Sequence, residues 1–219
     1  GGEVAAFQLA NGRGVWRTKT KAALAAGAGV GAGLVVVGSG DGQVIALEAA
    51  DGRERWRAKV GGEVLAAPAV GDEIVVVHTV DGRLLGLDTA TGKERWREEQ
   101  QVPRLTLRGA GSPAIAGSLA VCGFDNGRVL AVNVADGQVA WEAAVTPPRG
   151  RTELERLVDI DSAIKVSGQE VFVVGYQGRT AMLALDSGQL WWSRELPSHR
   201  GLDIDDDTVF VSTSDGDVV

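Results

Sequence analysis

Short apolar runs alternate with glycine-containing turns along this chain, and the same order of features returns about every 40 residues. One copy contains a turn at Asp81-Gly82, an apolar run, a second turn at Thr91-Gly92 and a returning run that includes Trp96. Both dipeptides are typical of tight turns, because glycine adopts φ > 0 without a steric penalty. Within residues 85–88, leucine alternates with glycine and aspartate, as expected for a β-strand. Each copy therefore predicts a turn, a strand, a second turn and a returning strand.

The spacing of the first-turn glycines indicates a repeat architecture. These glycines are Gly2, Gly42, Gly82, Gly127, Gly178 and Gly216. A period near 40 residues with short strands is typical of a β-propeller blade. Because one such unit cannot bury its apolar faces alone, neighbouring units must stack. The sequence predicts an all-β protein, a β-propeller of four-stranded antiparallel blades.

Two further strands precede each first turn, so each blade has four strands, A to D. Complete sets fall at residues 24–60, 64–99, 111–145 and 158–195, with strands C and D alone in 3–19 and strands A and B alone in 200–214. We expect residues 1–219 to form a single propeller domain that is part of a ring. The two terminal pairs could share a fifth blade, or further blades could lie outside this chain. Residues 217–219 would duplicate a third strand in a shared blade, which favours the second account.

One tryptophan occupies the same place in every repeat, four residues after the second-turn glycine. The series is Trp16, Trp56, Trp96, Trp141 and Trp192. Such regularity favours packing between blades over a stack that binds a ligand.

Composition narrows the choice of function. The formal charge of −7 argues against nucleic-acid binding, which needs a basic face. No apolar run approaches the roughly 20 residues that span a bilayer. The single cysteine, Cys122, lies in an apolar strand and is expected to be a buried, inert thiol.

Residues that could carry chemistry do not form a recognisable catalytic or metal site. The histidines, His78 and His199, have no nucleophile or carboxylate pattern near them in the sequence. The glycine-rich segment 27–33 lacks the Gly-Lys-Ser/Thr ending of a phosphate-binding loop. The aspartates between residues 203 and 207 miss the calcium-loop spacing and suggest a solvated turn. The sequence therefore predicts no catalytic residue, no cofactor and no metal.

Two connections between blades are enlarged. From each tryptophan to the next first-turn glycine the chain advances 26 (16 to 42), 26 (56 to 82), 31 (96 to 127), 37 (141 to 178) and 24 (192 to 216) residues. We call residues 100–109 the first connector and residues 146–161 the second connector. Strand direction alternates, so both are expected on one face, and loops on a rigid scaffold often carry function.

The side chains of the connectors suggest a protein interface. The first connector presents Leu105, Leu107 and Arg108, and the second presents Asp159 and Asp161. Apolar anchors beside an arginine are typical of an interface centre. An internal ion pair between Arg108 and an aspartate is the other interpretation, and the two can hold together.

The repeat resembles the quinoprotein-type propeller repeat, and residues 105–109 and 155–161 are similar to the BamB family of outer-membrane assembly lipoproteins. Also similar are residues 125–129 and 187–196. The resemblance implies an eight-bladed, non-enzymatic scaffold on the periplasmic face of the outer membrane of Gram-negative bacteria, held by a lipid anchor that this chain does not carry. It also implies that Leu105, Leu107, Arg108, Asp159 and Asp161 bind the POTRA domains of BamA, and that unfolded outer-membrane proteins are further partners.

A second family shares the repeat. A fragment of a pyrroloquinoline-quinone-dependent dehydrogenase would have the same blades, but those enzymes resemble this chain less, because they carry a pair of adjacent cysteines and bind calcium beside the quinone.

Overall fold

The computed structural model describes residues 2–101, 110–146, 160, 162–176, 178–198, 201–213 and 215–219. Within these ranges the regular elements are β-strands. They are β1 (Glu3–Phe7), β2 (Gly14–Lys19), β3 (Gly29–Gly31), β4 (Leu34–Gly38), β5 (Gln43–Glu48), β6 (Glu54–Lys59), β7 (Ala69–Val70), β8 (Ile74–His78), β9 (Arg83–Asp88), β10 (Glu94–Glu99), β11 (Ala114–Ala116), β12 (Leu119–Gly123), β13 (Arg128–Asn133), β14 (Val139–Ala144), β15 (Lys165–Ser167), β16 (Glu170–Val174), β17 (Thr180–Ala184), β18 (Leu190–Arg194), β19 (Leu202–Asp205) and β20 (Thr208–Val211).

Strands adjacent in sequence are adjacent in the sheets, with antiparallel pairing in each register that the structure describes. Four four-stranded sheets form blade 1 (β3–β6), blade 2 (β7–β10), blade 3 (β11–β14) and blade 4 (β15–β18). Strands β1 and β2 pair with each other, as do β19 and β20. The predicted sets of strands, complete and partial, are confirmed. The turn glycines adopt the expected left-handed conformation, with φ of 81° at Gly82 and 70° at Gly92.

The chain divides into two compact units, residues 1–97 and residues 98–219. A single domain over residues 1–219 stays a prediction.

In the first unit, strand β5 is buried on both faces. Val44 and Ala46 pack in a cluster with Val75 and Leu85 of blade 2. On the other face, Ile45 packs in a cluster that also contains Val4 and Trp16 of the β1–β2 pair. Alternation along this strand therefore separates two buried faces rather than a buried face from an exposed one, because a sheet stacks on each side.

The second unit repeats this stacking. Its main apolar cluster joins Val121 and Val129 of blade 3 to Val171 and Val173 of blade 4. A further cluster joins Phe172 and Val174 on blade 4 to Leu202 and Val211 of the β19–β20 pair. Innermost strands of successive sheets also contact each other, β3 with β7 in the first unit and β11 with β15 in the second.

The tryptophans connect successive sheets within each unit. The indole Nε1–H donates to a backbone carbonyl of the next sheet in three cases: Trp16 to Ala49 at 2.9 Å, Trp56 to Thr89 at 2.8 Å and Trp141 to Leu185 at 2.7 Å. The same rings cover the second-turn glycines of the next sheet, which are Gly52, Gly92 and Gly188. The predicted role in packing between blades is confirmed for these three residues. Trp191, outside the series, is half exposed (50%).

Candidate functional site

The five predicted partner-binding residues lie outside the described residues. Leu105, Leu107 and Arg108 fall in residues 102–109, and Asp159 and Asp161 flank the described residue 160. Their role stays a prediction. The structure does describe the frame at both ends of the second connector and the place where the first connector returns.

Both ends of the second connector are hydrogen-bonded to one turn. This turn, residues 124–127, joins β12 to β13. At the start of the connector, the N–H groups of Val145 and Thr146 each donate to the carbonyl of Gly127, both at 3.1 Å. At its end, the Ile160 N–H donates to the Phe124 carbonyl at 3.2 Å. The 124–127 turn therefore fixes where this connector begins and ends.

The first unit contains the same frame with a short connection. The Val60 N–H donates to Gly42 at 2.9 Å, and the Val64 N–H donates to Ser39 at 3.1 Å. Three residues (61–63) separate Val60 from Val64, whereas fourteen (146–159) separate Val145 from Ile160. The second connector is therefore an insertion between anchors that the ordinary blade already has. Lengthening a loop between fixed ends costs little stability, since the closure entropy grows only slowly with length.

Ile160 is the core anchor of the second connector. Its side chain is fully buried (0% exposed) in the cluster shared by blades 3 and 4. A Cβ added to Gly123 would overlap its side chain, so glycine at that position allows the close approach. Val64 fills the same place against Gly38 in the first unit and is equally buried.

The ends of the two connectors lie against each other in the second unit. Gly111, two residues after the first connector, has its backbone beside the last part of the second connector. A Cβ added to Gly111 would lie 2.9 Å from the Ile160 carbonyl oxygen and 3.0 Å from that of Ser162. The two enlarged loops therefore return to the scaffold side by side.

Side-chain hydrogen bonds attach the second connector to blade 4. Thr146 is buried, and its Oγ1 accepts a hydrogen bond of 3.2 Å from the Arg179 N–H. Ser162 is also buried, and its Oγ–H donates to the Val174 carbonyl at 2.8 Å. The base of this connector is therefore held at Thr146 and, one residue past its end, at Ser162.

Two buried groups lie close to this frame. Asp125, in the 124–127 turn, is 7% exposed, and Cys122 on β12 is fully buried. Burial, followed by the nearby negative charge of Asp125, raises the pKa of the Cys122 thiol far above its usual value. The predicted burial of the cysteine is thus confirmed. Sequence reasoning included Asp125 only in a family-like segment, although an aspartate stands there where blades 1 and 2 have Gly40 and Val80.

Among the residues that the structure describes, the remaining candidates do not assemble into a site. His78 is buried in β8, and His199 lies outside the described residues. Asp203 accepts a hydrogen bond from Lys165 Nζ at 2.9 Å, which lowers the pKa of that carboxyl. In the described part of the chain, no three His, Cys, Asp or Glu side chains are grouped so as to hold a metal ion. Nor does this part contain a helix of the length and apolar character needed to cross a membrane.

Comparison with known proteins identifies the family. A profile of the family described as "Outer membrane protein assembly factor BamB" matches residues 1–219. The chain belongs to the BamB family. BamB from Pseudomonas aeruginosa is 46% identical over 120 residues, which are 55% of this chain and 32% of that protein. BamB from Alkalilimnicola ehrlichii is 43% identical over 110 residues, 50% of this chain and 29% of that protein. The matches thus span about a third of these curated BamB proteins.

Solved structures confirm the predicted β-propeller fold. The crystal structure of BamB from Moraxella catarrhalis superposes with a TM-score of 0.91 at 28% identity, covering 100% of this chain and 66% of that one. The quinohemoprotein alcohol dehydrogenase ADHIIG from Pseudomonas putida HK5 superposes with a TM-score of 0.66 at 18% identity, covering 81% of this chain and 35% of that enzyme. At that identity the likeness shows a shared fold alone. The comparisons therefore support BamB over the dehydrogenase interpretation.

Proposed function

We propose that this chain acts as a non-enzymatic scaffold of outer-membrane protein assembly and binds the POTRA domains of BamA through its two connectors. The observation that carries the proposal is the shared base of the connectors, where Gly111 lies against Ile160 and Ser162. Two insertions that return side by side can offer one continuous surface to a partner. The names of the BamB relatives supply the process, since each is an outer membrane protein assembly factor.

Burial of Ile160 and Ser162 supports a fixed point of return for the second connector. The aspartates on either side of Ile160, Asp159 and Asp161, are the carboxylates that we propose to pair with basic groups of the partner.

The first connector would complement those carboxylates. Leu105 and Leu107 supply apolar area, and Arg108 supplies a guanidinium that can pair with carboxylates of the partner or with the aspartates of the second connector. An internal pair of that kind would shape the docking surface rather than compete with docking.

In the same proposal, the full-length protein lies at the periplasmic face of the outer membrane, held by a lipid anchor. Unfolded outer-membrane proteins would be further partners, since an exposed strand edge can accept an extended peptide by β-addition.

Charge reversal tests the docking surface. Arg108→Glu, and separately Asp159→Lys with Asp161→Lys, should each raise the Kd for the purified BamA POTRA domains at least tenfold, as measured by isothermal titration calorimetry. A tenfold change corresponds to about 1.4 kcal/mol, which is within the range for a charge at an interface.

Matched reversals elsewhere serve as controls. Arg53→Glu alters an exposed arginine of the first unit, and Asp205→Lys with Asp207→Lys alters another exposed pair with the same spacing. Both should leave the Kd unchanged, and all variants should keep the urea midpoint of the parent. An unchanged Kd for the connector variants would reject the proposed docking surface.

A further inference from the structure

Asp125 is a carboxylate that the ordinary blade does not need. It is 7% exposed, although aspartate is almost never buried to this extent unless its charge is offset. It occupies the second position of the 124–127 turn, directly after Phe124, whose carbonyl accepts the Ile160 N–H. A buried charge of this kind requires compensating interactions, because desolvation of a carboxylate is unfavourable.

Equivalent turns show that the turn itself does not require this carboxylate. The first-turn glycine N–H donates to the residue three positions earlier in each case: Gly42 to Ser39 at 3.2 Å, Gly82 to Thr79 at 3.0 Å and Gly127 to Phe124 at 3.1 Å. In the first two turns the residue equivalent to Asp125 is Gly40 or Val80. The same backbone turn therefore forms with no charge at this position.

The aspartates of those other turns serve a different, local purpose. Asp41 and Asp81 each accept a hydrogen bond of 2.6 Å from the hydroxyl two residues earlier, Ser39 or Thr79. In the 124–127 turn, Phe124 and Asn126 occupy these two positions, and the hydroxyl–carboxylate pair is therefore missing. The aspartate of this turn stands one position earlier, at Asp125, and is buried.

The 124–127 turn differs from the equivalent turn of blade 1 in the length of the connection that it anchors. The turn accepts the N–H groups of Val145, Thr146 and Ile160, and Ile160 in turn lies against Gly111 at the end of the first connector. The turn that carries the buried carboxylate is thus also the turn that anchors the base of the second connector, beside the end of the first.

We propose that Asp125 is a positioning residue for the docking surface. Its charge holds the 124–127 turn and the returning ends of both connectors in one arrangement, and so sets the relative positions of the partner-binding side chains. Asp125 acts through the frame and does not contact the partner. Its effect on binding rests on the proposed function, whereas its effect on the frame does not.

Amide hydrogen exchange tests the frame without any partner. In the isosteric, uncharged variant Asp125→Asn, the amides of Val145, Thr146 and Ile160 should exchange at least tenfold faster, as measured by NMR. The equivalent amides of Val60 and Val64 in the first unit should not change, which distinguishes a local effect from general destabilisation. Asp125→Glu, which keeps the charge, should restore part of the protection.

Several outcomes would contradict the inference. Unchanged exchange at the three connector amides in Asp125→Asn would overturn it, as would equal acceleration at Val60 and Val64. Asp125→Ser provides a second neutral variant. Since Gly40 and Val80 occupy equivalent turns, at least one neutral variant should fold, and failure of both would also reject a positioning role.

A binding measurement then separates this inference from the proposed function. If the BamA POTRA domains bind the parent chain, Asp125→Asn should raise the Kd about tenfold. Equal binding despite faster exchange would reject the link between Asp125 and docking while leaving the docking surface intact. If the parent chain does not bind these domains, the proposed function fails and the exchange result still decides the role of Asp125 in the frame.

Discussion

Gly92 has two separate requirements for glycine. Its φ is 70°, in the left-handed region, and a Cβ added to it would lie 2.5 Å from Cε3 of Trp56. Gly12 occupies the same turn position near the start of the chain and also has a φ of 70°, but a Cβ there would meet nothing within 4 Å. The two glycines therefore separate backbone strain from the steric demand of the tryptophan.

Alanine substitution at both positions measures that difference. Gly12→Ala should cost about 1–2 kcal/mol, the penalty of a left-handed conformation for a residue with a Cβ. Gly92→Ala should lower the free energy of unfolding by about 1–3 kcal/mol more than Gly12→Ala does. The added loss is expected because the Trp56 ring must move, which strains its hydrogen bond to Thr89. Urea unfolding of the two variants gives both values. Equal losses would mean that the ring adjusts without cost.

At the scale of the strand and its turn, Asp88 makes the stability of blade 2 depend on pH. It ends β9, and its carboxylate accepts hydrogen bonds from the Thr91 hydroxyl at 2.7 Å and the Thr91 N–H at 2.8 Å, with Arg95 alongside. The Thr91 hydroxyl, followed by Arg95, lowers the pKa of Asp88 to about 2. In blade 3 the equivalent residue is the neutral Asn133, whose Oδ1 accepts the Ala135 N–H at 3.0 Å.

The sign of the expected pH dependence follows from the lowered pKa. Above the unfolded-state pKa of 3.8, the carboxylate makes its full contribution to the free energy of unfolding. This contribution is lost as the pH falls from 3.8 to the folded-state pKa of about 2. Asp88→Asn should lower the urea midpoint at pH 7 and reduce the further fall between pH 4 and pH 2. Urea unfolding at pH 7, 4 and 2.5 tests this, and parallel pH profiles for parent and variant would contradict it.

The sequence predicted the strands and turns well because their signals are local. Turn glycines, strand alternation and the tryptophan position each depend on a few neighbouring residues. The two buried faces of β5 were harder to recognise, since Val44 and Ile45 are both apolar and only the presence of a sheet on each side explains them. The blade 4 set was predicted from residue 158, but its first strand, β15, begins at Lys165.

At the scale of the whole molecule, length variation identified the connectors, but it could not show how they are anchored. Ile160 is equivalent to Val64, yet its place in a long polar segment conceals that relation in the sequence. The burial of Asp125 was equally hidden, because no local turn signal marks an aspartate as buried. Family resemblance indicated which connector residues could bind a partner. The anchors at Val145, Thr146 and Ile160 give a physical reason to expect that the second connector can be changed without changing the blades.

Replacement of the second connector tests that separation of scaffold and binding loop. Residues 147–159 would be exchanged for Gly-Glu, the pair at positions 62 and 63, so that Val145, Thr146 and Ile160 stay in place. The shortened chain should fold with an equal or slightly higher urea midpoint, since each halving of loop length saves about 0.6 kcal/mol of closure entropy. Binding to the BamA POTRA domains should be lost.

A thirteen-residue Gly/Ser segment in place of residues 147–159 is the control for length. It should fold and should also fail to bind, because the side chains rather than the span of the loop are expected to make the contact. If the Gly-Glu variant does not fold, the connector contributes to the core of the second unit and is not an independent insertion. If the Gly/Ser variant binds like the parent chain, the partner contacts lie elsewhere, and Asp159 has no part in them.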